Sequence, residues 1–177
     1  AESGFNENAT SVTGAQGSSQ FQPTTWPTWG AKVDENGKAI SPPGTGDPRN
    51  AADATMAQGH MMCADYNNMK KLIASGRVKG DPVALTIAAY NAGIGAVLNA
   101  GGMPSGGDYT TQTQPYVARI LQWAKEYDGG GQQLAADPGN GGSSGGGYQQ
   151  AVSVAMAQRG KRDTKPSRFC SARSSTL

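Results

Sequence analysis

At 177 residues the chain has the length of one ordinary domain with a tail or the stub of a second, and a hydrophobic share of 36% with 26 glycines leaves part of it outside any packed core. The net charge of +2 hides an asymmetry: residues 1–128 carry nine Lys and Arg against eleven Asp and Glu, while residues 158–177 carry six against one. No apolar run approaches the length of a membrane span, and no export signal or initiator Met precedes Ala1, so the start reads as that of a processed or cut chain.

The first thirty residues hold the chemistry. Gly4 is a helix-stop signal and predicts Glu2 in the last turn of a helix. Gly14, Ala15 and Gly17 form a run almost free of side chains, where a ligand can pack against backbone amides and carbonyls. Gln20, Phe21 and Trp26 add the amide and aromatic groups that line a sugar groove. Cleavage of a glycosidic bond takes a carboxyl kept protonated by apolar, partly dehydrated surroundings, and Glu2 is the candidate acid. The alternative is a solvated terminal glutamate beside an ordinary Gly-rich turn, and spacing alone favours it. Residues 11–30 are expected to form one or two short helices broken at Pro23 and Pro27, with Phe21, Trp26 and Trp29 turned inward. The two tryptophans are either stacking platforms or, for at least one of them, core.

Residues 31–48, rich in Gly and Pro, read as a loop. Asp34, Asn36 and Gly37 superficially resemble a calcium loop, but the glycine falls fourth and Lys38 takes the fifth place, so no metal is expected. Asn50 caps a helix through Cys63, with its methionines and Cys63 read as apolar filling. His60 is the only histidine, which removes Ser/His/Asp and Cys/His catalysis and multi-histidine metal sites. A second helix is expected over Asn67–Ala74, and a third from Asp81-Pro82 to Asn91-Ala92-Gly93, which presents Tyr90 and Asn91 at a helix end. A short helix over Gly95–Ala100, a loop to Tyr109, and an amphipathic helix opened by Thr113 and Pro115 follow, the last burying Tyr116, Val117, Ile120, Leu121, Ala124 and Tyr127. Nine glycines within residues 129–147 mark a flexible linker. The basic tail is a candidate for anionic wall polymers or nucleic acid, but without interleaved aromatics it is better read as solvated and disordered, and no nucleic acid is expected as partner.

Glu2, Ser3, Asn6, Ala9, Ser11, Gly14, Ala15, Gly17, Gln20, Phe21 and Pro23, followed by Ala89-Tyr90-Asn91-Ala92-Gly93, resemble the two signatures of the soluble lytic transglycosylases, lysozyme-like enzymes that cleave peptidoglycan. The resemblance covers residues 1–128 and implies a mainly α, lysozyme-like fold. It implies Glu2 as the catalytic acid and base, and Ser11, Gly14, Ala15, Gly17, Gln20, Tyr90, Asn91 and Tyr116 as substrate-binding residues, with packing an alternative task for Tyr116. Ser18 and Gln22 stand where the family has apolar residues, and the helix that precedes the glutamate in the family is expected to be missing here, impairing activity. The expected substrate is the glycan strand of peptidoglycan, attacked by a secreted, envelope or virion-associated monomer without a cofactor. Glu7 shows no sign of pairing with Glu2, which weakly favours a single-carboxylate mechanism; Asp34 or Asp108 remains open as a second acid reached through the fold. A hydrolytic muramidase and a non-catalytic wall-binding or phage-tail component are the other readings. Residues 148–160 resemble the first helix of a fused cysteine endopeptidase, but Cys170 has no histidine after it, so residues 148–177 read as a truncated remnant.

Overall fold

A computed structural model describes residues 2–128, with side chains through Lys125; the linker, the remnant, Cys170 and the basic tail lie outside the described residues. Among the described residues the structure is mainly helical: α1 (Trp26–Trp29), α2 (Ala51–Ala74), α3 (Pro82–Ala92), α4 (Ile94–Ala100) and α5 (Gln114–Asp128), with a π-type turn at Tyr109–Thr113 before α5. Among the described residues, pairing between extended segments is limited to isolated bridges. These residues form two compact units, 2–63 and 64–128, with the boundary inside α2.

In the first unit the core gathers Phe21, Trp26 and Ala57, flanked by Trp29 and Met61. The Phe21 and Trp26 rings meet edge to face, 5.1 Å between centroids and 73° between planes, which suits their opposed edge and face charge. Trp26 is therefore core, and its indole N–H is satisfied by the Gly46 carbonyl at 3.1 Å. Only α1 is helical within residues 11–30, and Pro27 sits in its first turn, where a missing N–H costs nothing, rather than breaking it. The rest of that stretch is a series of turns because Gly14, Gly17 and Gln20 all take positive φ. The 31–48 segment is a loop as expected, with one bridge between Val33 and Ala39. Asp34 Oδ1 closes it by accepting the backbone N–H groups of Asn36 (3.0 Å) and Lys38 (2.8 Å).

Asn50 caps α2 as its position predicts, Oδ1 accepting from the Ala52 and Asp53 amides. The two helices expected over 51–63 and 67–74 are one helix of 24 residues. No proline or capping signal interrupts Ala64-Asp65-Tyr66, and a single Gly59 weakens a helix without ending it. Cys63 is half-buried and disulfide-bonded, which corrects its reading as a small buried apolar residue.

In the second unit Met69, Val78, Leu85, Val97 and Pro104 are fully buried. α3 runs through the middle of this core, with Leu85, Thr86, Ile87, Ala88 and Ala89 buried, and packs against α4, α5 and the π-type turn. Both of its ends are set locally: Asp81 Oδ1 accepts the Ala84 amide at 2.8 Å, and Gly93, at φ 84° and ψ 147°, takes a conformation closed to other residues. On α5, Val117 is buried and Tyr116, Ile120 and Leu121 are half-buried, but Ala124 is exposed, so the buried stripe is narrower than its pattern predicts.

Candidate active site

Six candidate residues lie on the turns of the first unit. Glu2 is half-buried and non-helical, and the next turn carries Gly4 and Phe5 at φ 61° and 64°. Ser3 ties this turn down, its hydroxyl donating to the Ser18 carbonyl at 2.9 Å. Ser11 organises the following turn: its Oγ accepts the Ala15 amide at 3.0 Å while its own amide donates to the Ala15 carbonyl at 2.9 Å. Gln16 exchanges two backbone bonds with Phe21, which folds Gly17–Gln20 into a tight reversal.

Gly17 is buried at φ 73°, and a Cβ there would fall on the Pro48 carbonyl, so the residue is glycine because another backbone segment occupies the space. Gln20 holds φ 52°, uncommon for a residue with a side chain. Its Nε2 donates to the carbonyls of Gly17 (2.8 Å) and Ala9 (3.4 Å), so the amide stitches the loop together from inside. Arg49 braces the same loop, donating to Gln16 Oε1 at 3.0 Å and to Thr10 Oγ1 at 3.2 Å. A cleft of about 260 Å³ opens in this unit over Phe21 and Trp26, walled by Pro23, Pro27 and Pro48. Of the residues expected at the groove, Phe21 and Trp26 line it, whereas Glu2, Ser11, Gly14, Ala15, Gly17 and Gln20 do not.

Tyr90, Asn91 and Tyr116 belong to the second unit. Tyr90 is half-buried and Asn91 exposed, both in the last turn of α3, as their place before Gly93 predicts. Tyr116 is half-buried on α5. Thr113, buried at the end of the π-type turn, donates its hydroxyl to Asn91 Oδ1 at 2.9 Å. Sequence reasoning gave Thr113 no role beyond opening a helix, and passed over Arg49 and the buried Asp53. Each acts on a partner at least twenty residues away, and no local pattern announces such a contact.

Residues 1–112 match the family model described as Transglycosylase SLT domain. The chain belongs to this family. The helical character of the described residues is that of a lysozyme-like SLT domain. The SLT match contains both signature stretches and hence Glu2, Ser11, Gly14, Ala15, Gly17, Gln20, Tyr90 and Asn91. It ends inside the π-type turn, so Thr113 and Tyr116 lie beyond it. No significant match is found among curated proteins or among solved structures.

Proposed function

We infer that this SLT domain is a peptidoglycan lytic transglycosylase that cleaves the β-1,4 bond between N-acetylmuramic acid and N-acetylglucosamine. The observation that carries the reading is the SLT match over residues 1–112 together with the Glu2-Ser3 pair that opens it. The protonated Glu2 carboxyl gives its proton to the glycosidic oxygen as the C1–O bond breaks, and the glucosamine side leaves with a free hydroxyl. Glu2, now a carboxylate, takes the proton of the muramyl 6-hydroxyl while that oxygen bonds to C1. The product end is a 1,6-anhydro ring, the glutamate returns to its acid form, and no water or second carboxylate is consumed.

The residues read as glycan-binding are Ser11, Gly14, Ala15, Gly17 and Gln20 in the first unit, and Tyr90, Asn91 and Tyr116 on α3 and α5 of the second. The protein acts as a monomer on glycan strands outside the reducing cytoplasm, in the envelope, secreted or on a virion. Among the described residues no helix is long and apolar enough to cross a membrane.

Mass spectrometry of muropeptides released from purified peptidoglycan by the parent chain and by Glu2→Gln tests the reading. Anhydromuramyl ends from the parent alone are expected. Reducing muramyl ends would assign a hydrolase instead, and equal release by both proteins would remove Glu2 from the mechanism.

A further inference from the structure

Two buried threonines of the second unit behave differently. Thr86, inside α3, gives its hydroxyl to the carbonyl of Pro82 four residues back at 2.7 Å, the local partner that a helical threonine ordinarily takes. Thr113 gives its hydroxyl to the side chain of Asn91, 22 residues away. The backbone accounts for the difference. Pro115 has no N–H for the carbonyl of Thr111, and its ring crowds the turn before it. The chain widens there, with the Gln114 amide bonding to the Tyr109 carbonyl five residues back. Other bonds hold the wide turn in place: Gln114 Nε2 donates to the Pro104 carbonyl at 3.0 Å, and Thr110 Oγ1 accepts the Gly106 amide at 2.9 Å. One extra residue in a turn rotates the side chains after it, and the π-type turn packs against α3 with Thr113 buried on the contact.

The bond is made to one prong of an exposed amide. A carboxamide is planar with its oxygen and NH2 diverging, so fixing Oδ1 against a buried hydroxyl leaves Nδ2 as the group Asn91 presents outward. An unheld asparagine at a helix end would rotate and offer oxygen and nitrogen alternately. We propose that Thr113 is a positioning residue of the site, its hydroxyl locking Asn91 so that the amide NH2 donates to a carbonyl or hydroxyl oxygen of the bound glycan. The role of Asn91 in substrate binding rests on the function proposed above, whereas the lock itself does not.

The test uses the full chain with Thr113→Val, which keeps shape and burial but removes the hydroxyl, and Thr113→Ser, which keeps the hydroxyl. The side-chain NH2 resonances of Asn91 are followed by 15N NMR, and turnover is measured on soluble, uncross-linked glycan strands. In Thr113→Val the two NH2 resonances of Asn91 are expected to shift and to lose their distinct environment, with kcat/KM falling about tenfold, the scale of one neutral hydrogen bond. Thr113→Ser should restore both to near the parental values. Unchanged Asn91 resonances in Thr113→Val would overturn the lock. Shifted resonances with parental turnover would overturn its part in the site, and so would equal losses of turnover in the two variants. A parent chain without turnover overturns the function proposed above, and the resonances then decide the lock alone.

Discussion

Asp53, in the first turn of α2, accepts the backbone N–H of Val33 at Oδ1, 2.9 Å away, from a position twenty residues further along the chain. Its other oxygen accepts the Asp47 amide at 3.0 Å, so one buried carboxylate fastens both ends of the 33–47 loop to the helix that follows it. The charge is tolerated because two N–H donors and the positive end of α2 face it. Asp53→Asn replaces an accepting oxygen by an NH2 facing a donor, with an expected loss of about 1–3 kcal/mol in urea unfolding. Faster hydrogen exchange at the Val33 and Asp47 amides should accompany it. Parental exchange at both would mean that the loop is held by something else.

Gly17 and Gly14 both have positive φ, 73° and 85°, but their surroundings differ. A Cβ on Gly17 meets the Pro48 backbone, whereas one on Gly14 comes only within 3.8 Å of the Pro23 ring. Gly14→Ala should therefore cost about 1 kcal/mol for backbone conformation alone, and Gly17→Ala on the order of 3 kcal/mol because overpacking is added. Chemical denaturation of the pair measures the difference, and equal losses would refute the close approach of Pro48.

The cap on α3 is local and replaceable. Asp81→Ala removes the acceptor for the Ala84 amide and should lower stability by about 1 kcal/mol, while Asp81→Asn, still an acceptor, should remain within a few tenths. Thermal unfolding of the three proteins distinguishes a cap from a general charge effect.

Burial raises the Asp65 carboxyl above its ordinary value of 3.8. A group that binds its proton more tightly when folded adds stability at pH below its unfolded value and loses that advantage as pH rises through the folded value. At neutral pH the buried charge is a net penalty, so Asp65→Asn should unfold at a higher temperature than the parent at pH 7. The gain should shrink toward zero as the pH falls below about 3.8, where the parent carboxyl is already neutral. A variant advantage independent of pH would show that desolvation of this carboxylate is not its source.

Features determined over a few adjacent residues were legible in the sequence alone. Asp81-Pro82 starts α3 and Gly93 stops it, Asn50 caps α2, and the Glu2 to Pro23 signature, with its glycines at positive φ, identifies the family. Cap geometry, a missing N–H and glycine's freedom act within one turn, so residue type and spacing suffice to place them. The continuity of α2 was misread because composition varies through 64–66 without a breaker, and a helix persists through weak segments when tertiary packing buries its flanks, as it buries Met56 and Met69. The hold of Asp53 on Val33 and the lock of Thr113 on Asn91 were decided by the tertiary structure. Each joins groups whose separation along the chain carries no periodic signal, and only the closing of the loops between them brings donor within reach of acceptor.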